Sequence, residues 1–524
     1  MMARGWWTLL VVCAATFMLL LDVTIVVVAL PDIQRALGAS FGEVQWVVDA
    51  YALTLAALLL VSGSLADRFG RRLLFTIGLV VFTAGSALCG AAQGPLMLVI
   101  SRAVQGIGGA ILMATSLALL AVTFHGRQRG VAFGAWGAVT GIATALGPIL
   151  GGAITSGLNW RGIFLVNVPI GVAAIAVTRW RVSDSRSPHP SRPDWAGFTV
   201  FTAALIALVY GLIRASETSW GDAAVVGCLV AAGVLLVAFV VVELRAAHPM
   251  FDLSLLRIPT FLGGSAAAFA MNASLFAMFL YLVLYLQNDL GYSALATGTR
   301  LLVVSGTTMV AATLAGRLSG RLPARGLVGG GLLLVGAGLL LMRGLTAQSG
   351  WTDLLAGFVV AGVGSGLVNP PLASTAVGVV TPERSGMASG INTTFRQVGI
   401  AVGIAAYGSL FTATLRSQLT HELAGQPGLA GMGGRLAAAL GHGNVGQVFA
   451  SVPPQQRAGL AAALRASFAS AMNDLLLASA LLALVGGVLA LTLIRARDFV
   501  ASRPVSPPVS APADGAAADG AHRA

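Results

Sequence analysis

Lysine is missing from this 524-residue chain, so all 31 of its basic side chains are arginine. A G-x-x-x-x-G-K-[ST] loop needs that lysine to reach nucleotide phosphates, which excludes an ATP-driven pump of the usual kind. Schiff-base chemistry goes with it. Charge of either sign is sparse, at 10% of residues, where a soluble globular protein carries about 25%. Cysteine is limited to Cys13, Cys89 and Cys228, each inside an apolar run and none in a C-x-x-C pair. That spacing argues against metal and redox roles and for core packing. The six histidines lie outside the apolar runs, and no H-E-x-x-H motif occurs. A histidine proton carrier and a zinc hydrolase are thereby both disfavoured.

What is present is hydrophobic: 57% of residues, with a mean hydropathy of +0.87. Apolar runs of about twenty residues, each enough for a roughly 30 Å hydrocarbon core, recur about fourteen times. The first of them follows Arg4 but is too long for a signal peptide and lacks a small-x-small cleavage site, so it is expected to stay as an uncleaved helix. The fold class expected is an all-α membrane protein of about fourteen transmembrane helices.

The arginines set the orientation. With the N-terminus in the cytoplasm, the loops "ADRFGRR" (66–72), "HGRQR" (125–129), 179–192, 244–257, "GRLSGRLPAR" (316–325) and "RAR" (495–497) all face inside. Most arginines then obey the positive-inside rule, and the C-terminus is cytoplasmic too. A weak internal echo links "GSLADRFGRRLL" (63–74) to "GRLSGRLPARGL" (316–327), as a duplicated six-helix bundle would. The echo is too widely spaced for six helices, and two further runs, near 195–214 and 222–243, are expected to be inserted between the bundles. The expected organisation is a bundle over 1–180, two inserted helices within 181–254 and a second bundle over 255–498. That second bundle includes a long extracellular loop at about 413–467, with "QQRAGLAAALRASFASAM" helical before the last span, and a disordered tail follows over 499–524.

Some polar residues sit where polarity is expensive. Asp22 lies within "FMLLLDVTIVVVALPD", and an acid at mid-membrane costs about 2.5–3.5 kcal/mol on insertion scales. If helix 1 ends near Pro31, Asp22 is roughly 13 Å below the outer surface, with Arg102 of helix 4 at roughly 9 Å and Asp49 of helix 2 shallower. Two acids and one guanidinium are thus expected to form one cluster in the outer half of the first bundle. A carboxylate there is pulled two ways, since burial disfavours its charge and a nearby cation favours it. Such a group suits proton coupling; a fixed Asp22–Arg102 bridge that only ties helices together is the plainer alternative. In the second half, Asn272, Tyr281, Tyr285, Asn369, Asn392 and Arg396 are candidate cavity residues, or else helix–helix hydrogen bonds. The embedded acids lean toward cationic or neutral substrates, and Arg396 offsets that lean.

Several motifs in order, "LDVTIVVVALP", "GSLADRFGRR", "RAVQGIGGA", "LGPILGG", "WRGIFLVNVPIG" and "GMASGINTTFRQVGIAVG", resemble the major facilitator superfamily, specifically its fourteen-helix drug:proton antiporter branch. Val27 departs from the asparagine usual there. The resemblance implies two six-helix bundles plus two inserted helices, and proton-coupled efflux of multidrug or antibiotic type from the plasma membrane by a monomer. It implies Asp22 as the proton site, Arg102 as its modulator and Asp49 as a less regular acid. It further implies Asp67, Gly70 and Arg71 as a conformational gate, Gly320 standing in the second copy where Asp67 stands in the first. Gly147, Pro148, Gly151 and Gly152 become the helix 5 motif associated with antiport. Protons, a small amphipathic molecule and lipid are the implied partners, without cofactor, metal or nucleic acid. The other readings are an exporter dedicated to one endogenous metabolite or natural product and, more remotely, a membrane enzyme or a sensor that does not transport.

Overall fold

Among the described residues, fourteen helices are long and apolar enough to cross a membrane, as the apolar runs predict. The structure, a computed structural model, describes residues 2–124, 126–185, 193–319, 321–381, 384–424 and 452–499, and no strand occurs among them. Gly320, the centre of the expected long loop and the tail after Phe499 lie outside the described residues. The first six helices are α1 (Met2–Leu37), α2 (Phe41–Phe69), α3 (Arg71–Gly90), α4 (Pro95–Thr123), α5 (Gly126–Gly157) and α6 (Gly162–Arg181). Helices α7 (Trp195–Glu217) and α8 (Ala223–Arg245) follow. The second set is α9 (Pro259–Asp289), α10 (Ala294–Leu318), α11 (Ala324–Leu341), α12 (Trp351–Gly378), α13 (Ser385–Ala424) and α14 (Pro454–Leu493).

Local sequence starts these helices in recognisable ways. The Ser40 hydroxyl accepts the Glu43 N–H while the Glu43 carboxylate accepts the Ser40 N–H, a capping box for α2. Pro95 and Pro259 occupy first turns, where a missing N–H costs nothing. Asp222 caps α8, and the N–H of Val225 donating to its carboxylate holds that carboxyl below its usual range. Within α9, two π-helical turns, Asn272–Phe276 and Tyr285–Asp289, interrupt the regular ladder.

Two boundaries differ from the sequence expectation. Helix α1 does not stop near Pro31 but runs to Leu37. Proline removes one backbone donor, but fully buried Leu30 and Ile33 keep the extra turns packed, and Gln287 Nε2 donates to the Val28 carbonyl at 2.8 Å. The long loop expected from about 413 is helical to Ala424 and helical again from Pro454. Leu415, Leu419 and Leu423 repeat every four residues, and this buried stripe joins Leu460 and Ala463 of α14 in the core. A buried stripe of helix period thus carries α13 past the point where the loop was expected to begin.

In packing, α2 lies on α4 and also on α13 of the other bundle, while α5 packs on α1 and α10. Inserted α7 fills the flank where α2 meets α13, with Trp46 and Tyr210 rings 6.4 Å apart. Inserted α8 is peripheral. It packs on α7 and leaves Val226, Val230, Val234, Val237 and Val241 exposed, an apolar face suited to lipid.

Candidate functional site

The α1–α4 contact holds a buried polar network. Asp22 is 0% exposed and Arg102 1% exposed, and Arg102 Nη1 donates to Asp22 Oδ2 at 2.5 Å. The guanidinium also donates from Nε to the Val47 carbonyl at 3.0 Å and from Nη1 to Gln105 Oε1 at 2.6 Å. Gln105 Nε2 donates to Asp22 Oδ1 at 2.9 Å and to Ser86 Oγ at 2.7 Å. Asn167 Nδ2 reaches the same Ser86 hydroxyl at 3.5 Å. The Tyr51 ring lies under the Arg102 guanidinium at 4.3 Å, a cation–π contact that further holds the charge in a dry site. Both Asp22 oxygens are therefore satisfied, one by a cation and one by an amide.

Asp49 corrects the expected three-member cluster. No hydrogen bond or ion pair joins it to Arg102, and neither carboxylate oxygen has a hydrogen-bond partner among the described residues. It is 0% exposed and lies one turn from Gln45, which donates to Tyr281 Oη and to the Ile404 carbonyl across the bundle interface. The reason is angular: Val47 and Tyr51, four residues apart, share the α2 face over Arg102, and Asp49, two residues from each, points to the opposite side.

Gln105 is the participant that sequence reading passes over. It stands in "RAVQGIGGA" three residues after Arg102, which puts both on one helix face, and that spacing is the signal that could have found it. Ser86 and Asn167 carried no such signal, because only the packing of α3 on α4 and of α6 on α3 brings them in.

The helix 5 glycines meet this site from behind. A side chain at Gly147 would strike Thr24, and one at Gly151 would meet Ile25, both within a turn of Asp22 on α1. Gly152 faces the main chain of Ala294 and Leu295 on α10, and Gly298 of α10 faces the Pro148 carbonyl. Leu295 N donates to Ser156 Oγ at 3.2 Å, so α5 and α10 are zipped at the end of the molecule away from Asp67. Toward the Asp67 end such close approaches are not met: a side chain at Gly134, Gly137 or Gly141 of α5, or at Gly306 or Gly316 of α10, would enter open space.

At that end Arg71 donates from Nη2 and Nε to Asp67 Oδ1, at 2.8 and 3.1 Å. Arg71 N donates to the Ser185 carbonyl at 2.9 Å and Arg72 Nη1 to the Val182 carbonyl at 3.3 Å, so the loop is tied to the chain leaving α6. Gly70 sits at φ +114°, a conformation that L residues avoid, with Asp184 close by. Gly70→Ala is expected to cost about 1–3 kcal/mol, read as a lower melting temperature of the purified protein; an unchanged melt would show that the turn relaxes freely.

Among the cavity candidates, the structure brings together Asn369, Asn392 and Arg396. Arg396 donates to Asn392 Oδ1 at 3.4 Å and to Asn369 Oδ1 at 3.3 Å. The others lie apart on α9. Asn272 Nδ2 donates within its own helix to the Ala268 carbonyl, Tyr281 Oη donates to the Ile404 carbonyl at 2.6 Å, and Tyr285 Oη reaches the Ser349 carbonyl at 3.5 Å. A narrow cleft between the bundles is lined by Val23, Val48, Tyr51, Arg102, Gln397 and Ile400. Among the described residues no group of three or more acids, histidines or cysteines could hold a metal ion.

Comparisons with known proteins agree with this architecture. The chain is 33% identical over 492 residues to the tetracenomycin C resistance and export protein of Streptomyces glaucescens, covering 93% of this chain and 91% of that one. It is 37% identical over 424 residues to a puromycin resistance protein of Streptomyces alboniger, covering 80% and 84% of the two chains. It is 35% identical over 417 residues to the multidrug resistance protein Stp of Mycobacterium tuberculosis, covering 79% and 78%. The crystal structure of a bacterial homolog to the human lysosomal transporter Spinster, inward-facing and unoccupied, shares the fold at a TM-score of 0.59 and 19% identity, over 95% of this chain and 99% of that one. The family model described as Major Facilitator Superfamily matches residues 12–404. With its fourteen membrane-length helices, its buried network and these relatives, the chain belongs to the Major Facilitator Superfamily.

Proposed function

We propose that the chain is a proton-driven exporter of amphipathic small molecules of the drug or antibiotic kind, working as a monomer in the plasma membrane and not as an enzyme. The observation that carries this reading is the Asp22–Arg102–Gln105 network, a carboxylate buried in the α1–α4 contact and held by one cation and one amide. A proton arriving on Asp22 removes the charge that holds Arg102, leaving the guanidinium its bonds to Val47 and Gln105. Because Gly147 and Gly151 pack on the turn after Asp22, a shift of α1 is passed to α5 and from there to α10. Proton occupancy thereby biases which end of the molecule is open. Asp49, buried and without a hydrogen-bond partner among the described residues, is a second carboxyl suited to carrying a proton.

In this reading both termini are cytoplasmic and the Asp67 end faces the cytoplasm, so the open space beside the inner-half glycines of α5 and α10 belongs to the loading side. Asp67, Gly70 and Arg71 act there as the gate. The names of the relatives support export of toxic natural products, two carrying a single antibiotic and one the word multidrug. They equally support a dedicated exporter of one natural product, which a panel of unrelated drugs separates from a broad one. For the proton-driven reading, inside-out vesicles are expected to accumulate a transported drug only while a proton gradient is held, and to lose it within the assay when an uncoupler is added. Accumulation that survives the uncoupler in sealed vesicles would overturn the proposal.

A further inference from the structure

The charges inside the spans do not balance locally, and the imbalance bears on the substrate. Asp22 and Arg102 neutralise one another. Along the α2–α13 contact, bounded by Gln45 against Ile404 and Leu60 against Gly390, the charges left are Asp49 on α2 and Arg396 on α13. The two leftovers are not equivalent. A carboxyl can become neutral by taking a proton, whereas a guanidinium cannot lose one and must find an anion or water.

Arg396 lies about 16 Å along α13 from the Asp67 end. No carboxylate pairs with it among the described residues, and its hydrogen bonds, at 3.3 and 3.4 Å, go to the neutral amide oxygens of Asn369 and Asn392. Those amides are themselves fixed. Asn369 Nδ2 donates to the Ser365 carbonyl at 3.2 Å, and Asn392 Nδ2 donates to the Gly264 carbonyl at 3.5 Å, so their oxygens face the guanidinium. The side chain is only partly buried, and Ile400, one turn on along the same face, and neighbouring Gln397 both line the cleft between the bundles. A cation thus stands at mid-depth, oriented by two amides, without an anion of its own.

We propose that Arg396 is the anchor for a carboxylate group, and that the exporter takes amphipathic organic acids in their ionised form. The guanidinium fork presents parallel N–H donors that fit a carboxylate in two-point fashion. Val23, Val48 and Ile400 line the cleft beside it, which is too narrow here to hold a molecule and would offer an apolar wall to the rest of the acid once the bundles move apart. Asn369 and Asn392 are positioning residues that keep the fork turned to the path. The inference rests on the export reading for its physiological meaning, but it is tested by binding.

The probe is 1-pyrenebutyrate against its primary amide, titrated into the purified full-length protein and followed by tryptophan quenching. The wild type is expected to bind the acid about tenfold or more tightly than the amide, as a charge-assisted contact requires. Arg396→Gln is expected to bring the two affinities together, and Arg396→Lys, which keeps the charge but loses the fork, to give an intermediate ratio. Asn369→Ala is expected to weaken the acid and leave the amide unchanged, a split that general destabilisation would not produce. A wild type without preference for the acid, or an Arg396→Gln protein that keeps it, overturns the proposal. Uncoupler-sensitive drug export with no acid preference would leave the export reading standing alone. Acid preference without any gradient-driven export would do the reverse.

Discussion

Asp22→Asn is expected to abolish proton-driven export, lowering the initial rate in proteoliposomes by about tenfold at the least, while the protein still inserts and purifies. Asparagine has nearly the same shape and keeps an oxygen that can accept from Arg102 or Gln105, so the geometry of the α1–α4 contact survives. What it cannot do is alternate between charged and neutral. Breaking a buried ion pair costs about 3–5 kcal/mol when one charge is left stranded, yet Arg102 retains the Val47 carbonyl, Gln105 and the Tyr51 ring. A lowered melting temperature is therefore expected beside the loss of coupling. The two roles of the pair separate in one measurement: a variant that melts earlier but still exchanges drug for protons at the wild-type rate would make Asp22 a structural tie only.

Gly152→Leu is the second change with a large expected effect, and it acts on the conformational cycle rather than on the proton. A side chain at Gly152 would begin 2.5 Å from the Ala294 carbonyl oxygen and 2.6 Å from Leu295 Cα, both main-chain atoms that cannot rotate away. Only displacement of α10 makes room. The end away from Asp67 then cannot shut, and transport is expected to fall to background. The state itself can be read with Ser156→Cys, which sits where Leu295 N now donates to the Ser156 hydroxyl. Labelling of that cysteine by an impermeant maleimide added outside is expected to be several-fold faster with Gly152→Leu than without it, on the scale of a conformational shift of about 1–3 kcal/mol. Equal labelling together with normal transport would show that α5 and α10 do not form the closing contact.

Asp22 and Arg102 were legible as a pair because each is a charge in an apolar run and each run has a direction, which sets their depths. Depth does not carry angle. Asp49 shares the region of the pair but points elsewhere on α2, and its isolation from Arg102 is visible only once Tyr51 is seen under the guanidinium. Likewise Pro31 marks a break by local chemistry, yet α1 continues to Leu37 because burial of Leu30 and Ile33 overrides it.

By itself the sequence determined that the chain spans the membrane, how many times it crosses, which ends carry the arginines and that it holds no nucleotide loop. Those properties follow from transfer free energies summed over about twenty residues, and they do not depend on which helix touches which. Only the tertiary structure decided the partners of each polar side chain. It placed Gln105 beside Asp22 and Ser86 beside Gln105, set Gly152 against the main chain of α10, and left Arg396 between two asparagines with no acid among the described residues to meet it. A hydrogen bond needs its atoms within about 3 Å and in line, and in a bundle that condition is met through helix rotation and crossing, set by packing over the whole length of both partners.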